Sequence, residues 1–265
     1  MSDTLMILLI AAGAAIAAPL GGAFALWHRP TTLLMSCALG LAGGVLLATF
    51  AFEMLPNALE HCSLLTVIAA FCSGFAAIYA FDLFMHRGML AGAKAQERGK
   101  VRRFHRSHPP LGNRVTVLAV GTAVEGAIEG LTIGVALSMS PQAGWIIAIA
   151  VLIDDFTEGL SLGELVRAES RARWRTQARR IMGWTGLIGA AVFCSTLVGT
   201  LLLRGLHPPI LGFLFGIGAG GLFYLTVVDL VPEAAQRQYQ QLSAVAMGVG
   251  FLAMFALSAA VEHAA

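Results

Sequence analysis

Charge is what this sequence has least of. Only 12% of its 265 residues are Asp, Glu, Lys or Arg, against 57% hydrophobic residues and a mean hydropathy of +0.78. An ordinary soluble domain carries about 25% charged residues, so that class is excluded. The four cysteines, Cys37, Cys62, Cys72 and Cys194, form no Cys-x-x-Cys pair. Neither a thiolate metal site nor a disulfide framework is therefore expected, and each cysteine reads as a small apolar residue. There is no His-Glu-x-x-His, no Gly-x-Ser-x-Gly, no Ser-Lys dyad and no nucleotide-binding loop. The chain is expected to be no enzyme, to hold no cofactor, to bind neither nucleotide nor nucleic acid, and to draw no energy from ATP within itself.

What is present is length of apolar chain. Runs able to cross about 30 Å of hydrocarbon occupy 4–27, 33–55, 64–84, 114–138, 143–166, 181–203, 209–231 and 242–262. The expected fold class is an all-α integral membrane protein with eight transmembrane helices, 1–265 forming one domain in the bilayer. The first run lacks a basic leader and a small-residue cleavage site, and it holds Pro19 and Gly21-Gly22 well inside its span. It reads as a retained helix.

Of 17 Lys and Arg residues, eight fall in 85–114 and six in 167–180, with Arg29 and Arg237 in two further connections and Arg204 alone on the opposite side. The positive-inside rule then puts both termini on the non-cytoplasmic side of the cell (inner) membrane. Segment 85–113 mixes Gly, Lys, Arg, Gln and Pro109-Pro110, and it is expected to be a long flexible basic cytoplasmic loop facing anionic lipid. Its histidines, His86, His105 and His108, are secondary candidates for metal capture.

The few acids are concentrated. Glu125-Gly-Ala-Ile-Glu-Gly-Leu-Thr-Ile-Gly134 and Asp154-Asp-Phe-Thr-Glu-Gly-Leu-Ser-Leu-Gly163 are one decapeptide pattern written twice, each inside an apolar run. An ionised group at the centre of a membrane helix costs roughly 2.5–3.5 kcal/mol even on lenient scales, so this density of acid demands a partner. Glu125 and Glu129 are four residues apart, as are Asp154 and Glu158, so each pair shares one helix face one turn apart. The short 139–142 turn makes the two helices antiparallel neighbours with both pairs at one depth. Gly126, Gly130, Gly134, Gly159 and Gly163 recur between the acids at four-residue spacing, which allows close backbone approach.

No Lys or Arg lies inside any run; Arg114, Arg167 and Arg204 are at run ends. The cluster must take up protons or a cation from solution. Converging oxygens suit divalent ions such as Mn, Fe(II) or Mg, with zinc still accessible through Asp and Glu, and four acids at one depth exceed what a pure proton relay needs. Glu53, Asp82, Asp229 and Glu164 extend the acids along the membrane normal as candidate mouths of a cation path, although each is equally readable as an acid at a headgroup boundary.

A second echo sets Gly44-Val-Leu-Leu-Ala-Thr-Phe-Ala-Phe-Glu53-Met-Leu-Pro56 against Gly220-Gly-Leu-Phe-Tyr-Leu-Thr-Val-Val-Asp229-Leu-Val-Pro232. In each, an acid, two apolar residues and a proline are expected to end a helix. Given the expected topology, both echoes are inverted repeats, the plan of secondary transporters that alternate access around a midplane site.

These motifs resemble the ZIP (Zrt/Irt-like protein) family of divalent metal transporters, whose fourth and fifth helices carry His-Asn-x-Pro-Glu-Gly and His-Glu-x-Pro-Glu-Gly. The matching segments are Glu125-Gly-Ala-Ile-Glu129-Gly130 and Asp154-Asp155-Phe-Thr-Glu158-Gly159. The resemblance implies an eight-helix 3+2+3 arrangement with inverted symmetry, a homodimer, and inward metal movement through an elevator-like change. It also implies a binuclear site, with Glu125, Glu129, Asp154 and Glu158 at the first metal position and Asp155 at the second. This chain departs from the pattern in carrying acids for both histidines, Gly126 for asparagine, and Ile128 and Thr157 for the prolines. The sixth run, around 190–200, lacks a carboxylate for the second position and offers only Ser195 and Thr196, so one ion is expected and a harder ion than zinc is favoured. A proton-coupled carrier of another solute, using the same acids as a relay, is the alternative.

Overall fold

The computed structural model describes residues 3–28, 30–88, 114–169, 173–203, 205–236 and 239–264. The chain is an all-helical, multi-pass membrane protein, and among the described residues there is no strand. Among the described residues its helices form eight rods. α1 joins Asp3–Ala15 to Ala17–Trp27; α2 joins Thr32–Thr49 to Leu55–His61; α3 is Leu64–Gly88; α4 is Arg114–Met139. α5 is Pro141–Glu169, α6 Trp174–Leu203, α7 joins Pro208–Leu225 to Val231–Gln236, and α8 is Gln240–Ala264.

Proline chemistry explains the joints. Pro19 lies four residues after Ala15, whose carbonyl it can neither pair with nor pass closely, and the first rod breaks at Ile16. In α2 and α7 the chain passes through five-residue π-helical turns, Phe50–Met54 and Thr226–Leu230. Pro56 and Pro232 cannot donate to the carbonyls four residues earlier, so the ladder widens by one residue: Leu55 N–H donates to the Phe50 carbonyl and Val231 N–H to the Thr226 carbonyl. The sequence expectation that an acid and a proline end these helices is therefore corrected. Both rods continue past the proline for one or two further turns, and Glu53 sits inside a π turn.

Seven of the rods are long and apolar enough to cross a membrane, and α5 is the exception among the described residues. Asp154, Asp155, Glu158, Glu164 and Arg167 deny α5 any long apolar stretch. It is also the enclosed rod, packed against α1, α2, α4, α6 and α8. By contrast, the apolar windows of α3 and α8 are only 17% buried, so their outer faces are left for lipid. Of the basic stretch 167–180, Arg167 lies in the last turn of α5, and Arg175, Arg179 and Arg180 belong to the first turns of α6. α3 likewise continues to Gly88, so the expected loop at 85–113 begins as helix. From 89 to 113 it lies outside the described residues, with His105 and His108, as do the side chains of Asp82, His86 and Asp229 and the whole of Arg29, Arg204 and Arg237.

Small residues set which rods touch. A methyl group on Gly159 of α5 would overlap the Ala18 carbonyl oxygen of α1, and one on Gly130 of α4 would overlap Ser195 and the Val192 carbonyl of α6. Arg167 strengthens the α1–α5 pair by donating to the carbonyls of Ala25 and Leu26 at the end of α1, where unpaired helix carbonyls accept cationic donors well. In the same way Gly44 of α2 presses on the Met247 carbonyl of α8, and Gly220 of α7 on the Phe71 carbonyl of α3. These last two contacts correspond residue for residue at one constant offset along the chain. Close glycine approaches between rods fall within two groups, α1 with α4, α5 and α6, and α2 with α3, α7 and α8. Among the described residues the one crossing between groups is Gly218 of α7 against Thr132 of α4.

Filling a backbone-to-backbone contact forces the rods apart, a cost of about 1–3 kcal/mol. Gly159→Ala is therefore expected to lower the thermal midpoint of detergent-purified protein by several degrees. Gly183→Ala, at a position with nothing within 4 Å, should leave it unchanged or slightly raised, and equal midpoints for the two variants would contradict the packing described.

Candidate metal centre

The helical period places the acids as their spacing requires. Glu125 and Glu129 lie one turn apart on α4, Asp154 and Glu158 one turn apart on α5, and the two rods pack directly on each other. Glu129, Asp154 and Asp155 retain 1%, 3% and 0% of their accessible surface, while Glu125 and Glu158 are partly buried. Such burial needs compensation, since a carboxylate stripped of water loses several kcal/mol of solvation, on the order of the cost of a buried unpaired ion.

Compensation by cationic side chains is not what the geometry offers. The charged groups that act on Glu129 are Asp155, Asp154 and Glu125; those on Asp155 are Asp154 and Glu125; those on Glu158 are Glu125, Asp154, Glu129 and Asp155. Among the described residues, the charged groups that act on Glu129, Asp155 and Glu158 are thus other acids of the predicted site. One oxygen of Glu129, one of Glu158 and both of Asp155 are buried without a hydrogen-bond partner. Buried orphan oxygens of this kind call for an ion or proton.

The carboxylates are gathered rather than locked. Among the described residues no three His, Cys, Asp or Glu side chains stand in ready metal-ligating geometry, so closing on an ion requires side-chain rotation within the cluster. The motif departures have local consequences. With Ile128 and Thr157 in place of prolines, α4 and α5 remain uninterrupted, and the Thr157 hydroxyl bonds back to the Ile153 carbonyl at 2.9 Å. No backbone carbonyl is released here, so side-chain oxygens are the available ligands. At Gly126, a Cβ would come within 2.9 Å of a Val192 methyl of α6; the space an asparagine would need is filled.

Glu53 and Glu164 are not among the charged groups that act on Glu129, Asp155 or Glu158. Glu53, 6% exposed, lines a cavity of about 550 Å³ together with Asn57, Glu60, Ser140, Gln142 and Ser258. This vestibule opens where the π turn of α2, the α4–α5 turn and the end of α8 meet. From Ile146 at its floor to Asp154 the helix rises roughly 12 Å. Asn57 donates its amide to the Glu53 carbonyl at 2.7 Å, holding the widened turn. Glu164, further along α5, is half-buried and has a partner of its own. Sequence reasoning missed Ser161, whose buried hydroxyl has no partner, although it occupies the same place in its decapeptide as Thr132 does in the other. Thr196 of α6, proposed from sequence only as a weak substitute, is fully buried, and its hydroxyl is likewise unpartnered.

Comparison with known proteins bears on the same segments. The family model for the ZIP zinc transporters matches residues 105–258, which includes α4 to α7 and most of α8. The zinc transporter ZupT of Corynebacterium glutamicum is 26% identical over 231 residues, 83% of this chain and 86% of that protein. The zinc transporter ZupT of an Escherichia coli O7:K1 strain is 28% identical over 240 residues, 87% of this chain and 86% of its own length.

A cation that fills the cluster must stabilise the fold by mass action, by about 2.7 kcal/mol at a hundredfold excess over the dissociation constant. Purified protein is expected to melt several degrees higher in manganese than in chelator. Glu129→Gln combined with Glu158→Gln should lose that rise while melting in chelator no lower than the parent; a rise of the same size in the double variant would contradict the centre.

Proposed function

This chain belongs to the ZIP zinc transporter family, and on that premise we propose that it is a secondary transporter, not an enzyme, moving divalent cations of the Zn, Mn or Fe class across the cell membrane into the cytoplasm. The observation that carries this reading is the set of buried, mutually repelling carboxylates on α4 and α5 with oxygens left unpartnered. Glu125, Glu129, Asp154 and Glu158 are proposed to hold the ion, with Asp155 beside it. One ion is favoured over two, because the sixth rod presents Thr196 where a further carboxylate would complete a second position. An all-oxygen cage without imidazole favours hard ions such as Mn(II) over borderline zinc.

Transport requires that the site face each side in turn, and the packing supports a division of labour. The rods bearing the acids are bolted to α1 and α6 by glycine contacts and by Arg167, while α2, α3, α7 and α8 are bolted to one another. Two internally rigid groups meeting across a looser seam are suited to sliding, the elevator-like form of alternating access around an inverted repeat. The constant offset between the α2–α8 and α7–α3 contacts supports that symmetry. With both termini outside the cytoplasm, the vestibule at Glu53 is the outer mouth, and Glu164, Asp82 and Asp229 mark the way out. The exposed apolar faces of α3 and α8 suit burial in lipid or in a homodimer.

The same buried, unpartnered oxygens favour a second reading, in which these acids relay protons for another solute. Metal content and uptake separate the two. In proteoliposomes at equal concentrations, Mn(II) uptake is expected to exceed Zn(II) uptake, and Glu129→Ala with Glu158→Ala should reduce uptake to the leak and remove bound metal from the purified protein. Zinc outpacing manganese would overturn the hard-ion preference; unchanged metal stoichiometry in the double variant would overturn the site and leave the proton relay.

A further inference from the structure

The doubled decapeptide repeats more than its acids. Its eighth position is a hydroxyl in both copies, Thr132 on α4 and Ser161 on α5, three residues after Glu129 and Glu158 respectively. Three residues is just under one turn, so each hydroxyl extends the acidic face of its own rod. Because the rods are antiparallel, the two extensions point in opposite directions along the membrane normal. Thr132 lies on the side of the α4–α5 turn, and Ser161 on the far side.

Their surroundings set them apart from ordinary helix hydroxyls. Thr49, Thr157, Thr185, Thr200 and Thr226 are buried and each returns its hydrogen bond to the carbonyl four residues earlier, as isolated hydroxyls in membrane helices do. Ser161 does not: its oxygen is buried and unpartnered, one turn beyond an unpartnered oxygen of Glu158. Thr132 does bond to the Ile128 carbonyl, at 2.9 Å, but it stands at the one glycine contact that crosses the seam between the two groups of rods. A Cβ on Gly218 of α7 would lie 2.8 Å from the Thr132 hydroxyl oxygen and 3.7 Å from the Met54 methyl at the end of the α2 π turn. The absence of a side chain at Gly218 is what leaves the hydroxyl its space.

We propose that Thr132 and Ser161 are neutral oxygen steps on either side of the carboxylate cluster, each replacing part of the hydration shell of a divalent cation as it enters or leaves. The proposal rests on the reading of the cluster as the cation site. A neutral hydroxyl suits a passing role because it lowers the cost of dehydration without adding a charge that would hold the ion. The two residues are thus positioning residues for passage, separate from the ligands that determine equilibrium binding.

The test compares Thr132→Ala/Ser161→Ala with the hydroxyl-preserving exchange Thr132→Ser/Ser161→Thr, both as full-length protein, with Mn(II) as the probe. Loss of both hydroxyls is expected to lower the maximal Mn(II) uptake rate in proteoliposomes about tenfold, with bound metal per purified chain unchanged. The exchange variant should restore the rate to within about twofold of the parent. Parental uptake by the alanine variant, loss of its equilibrium metal binding, or failure of the exchange to restore uptake would each overturn the proposal. Should the double alanine variant not fold, Ser161→Ala and Thr132→Val singly carry the same readouts. Unchanged metal stoichiometry in Glu129→Ala/Glu158→Ala would instead remove the reading on which the proposal stands.

Discussion

Carboxylates gathered on α4 and α5, where the charged neighbours of Glu129, Asp155 and Glu158 among the described residues are other acids, are the constraint on which the rest of this structure depends. Each such group is costly in a helix that crosses hydrocarbon, and the chain meets the cost by enclosure rather than by pairing. The rod with most of the acids, α5, packs against α1, α2, α4, α6 and α8, and Asp154 and Asp155 are buried in those contacts.

Enclosure in turn dictates the glycines. Asp and Glu side chains are short, and two helices can share an ion between them only where backbones approach to contact. The glycines between the acids do not serve that approach: Gly130 brings α4 onto α6, and Gly159 brings α5 onto α1. The close glycine contacts therefore fall within each group of rods, and at the seam between the groups Thr132 faces Gly218.

The two prolines near the ends of α2 and α7 show how a local rule was overridden by its neighbours. Read alone, Pro56 and Pro232 are helix stops. In the fold, each falls at the start of a further helical piece, where a missing N–H is tolerated, and the lost bond is absorbed as a π turn. The turn keeps Glu53 buried beside a polar vestibule instead of at a helix end, and Asn57 steadies it through the Glu53 carbonyl. Gly126 is a similar case. As a motif departure it looked like the loss of a ligand, whereas the structure explains it as a site where α6 leaves room for nothing larger.

Much of this protein was legible in one dimension because helical periodicity and hydrophobic length are local properties. Apolar runs located the rods to within a few residues; four-residue spacing put Glu125 with Glu129, and Asp154 with Glu158, on single faces; the lack of interior Lys or Arg made a soluble cation or proton the expected partner. Contacts between distant segments are not local, and only tertiary structure decided them. It set which glycines touch which carbonyls, that α5 packs against five other rods although among the described residues it is the one rod without a long apolar stretch, that Arg167 caps α1, and that the Ser161 hydroxyl is buried with its hydrogen-bonding capacity unused. The physical reason is the same throughout: spacing along a chain determines which face a residue occupies, but the free energy of an acid or a hydroxyl depends on what the opposing helix brings to that face.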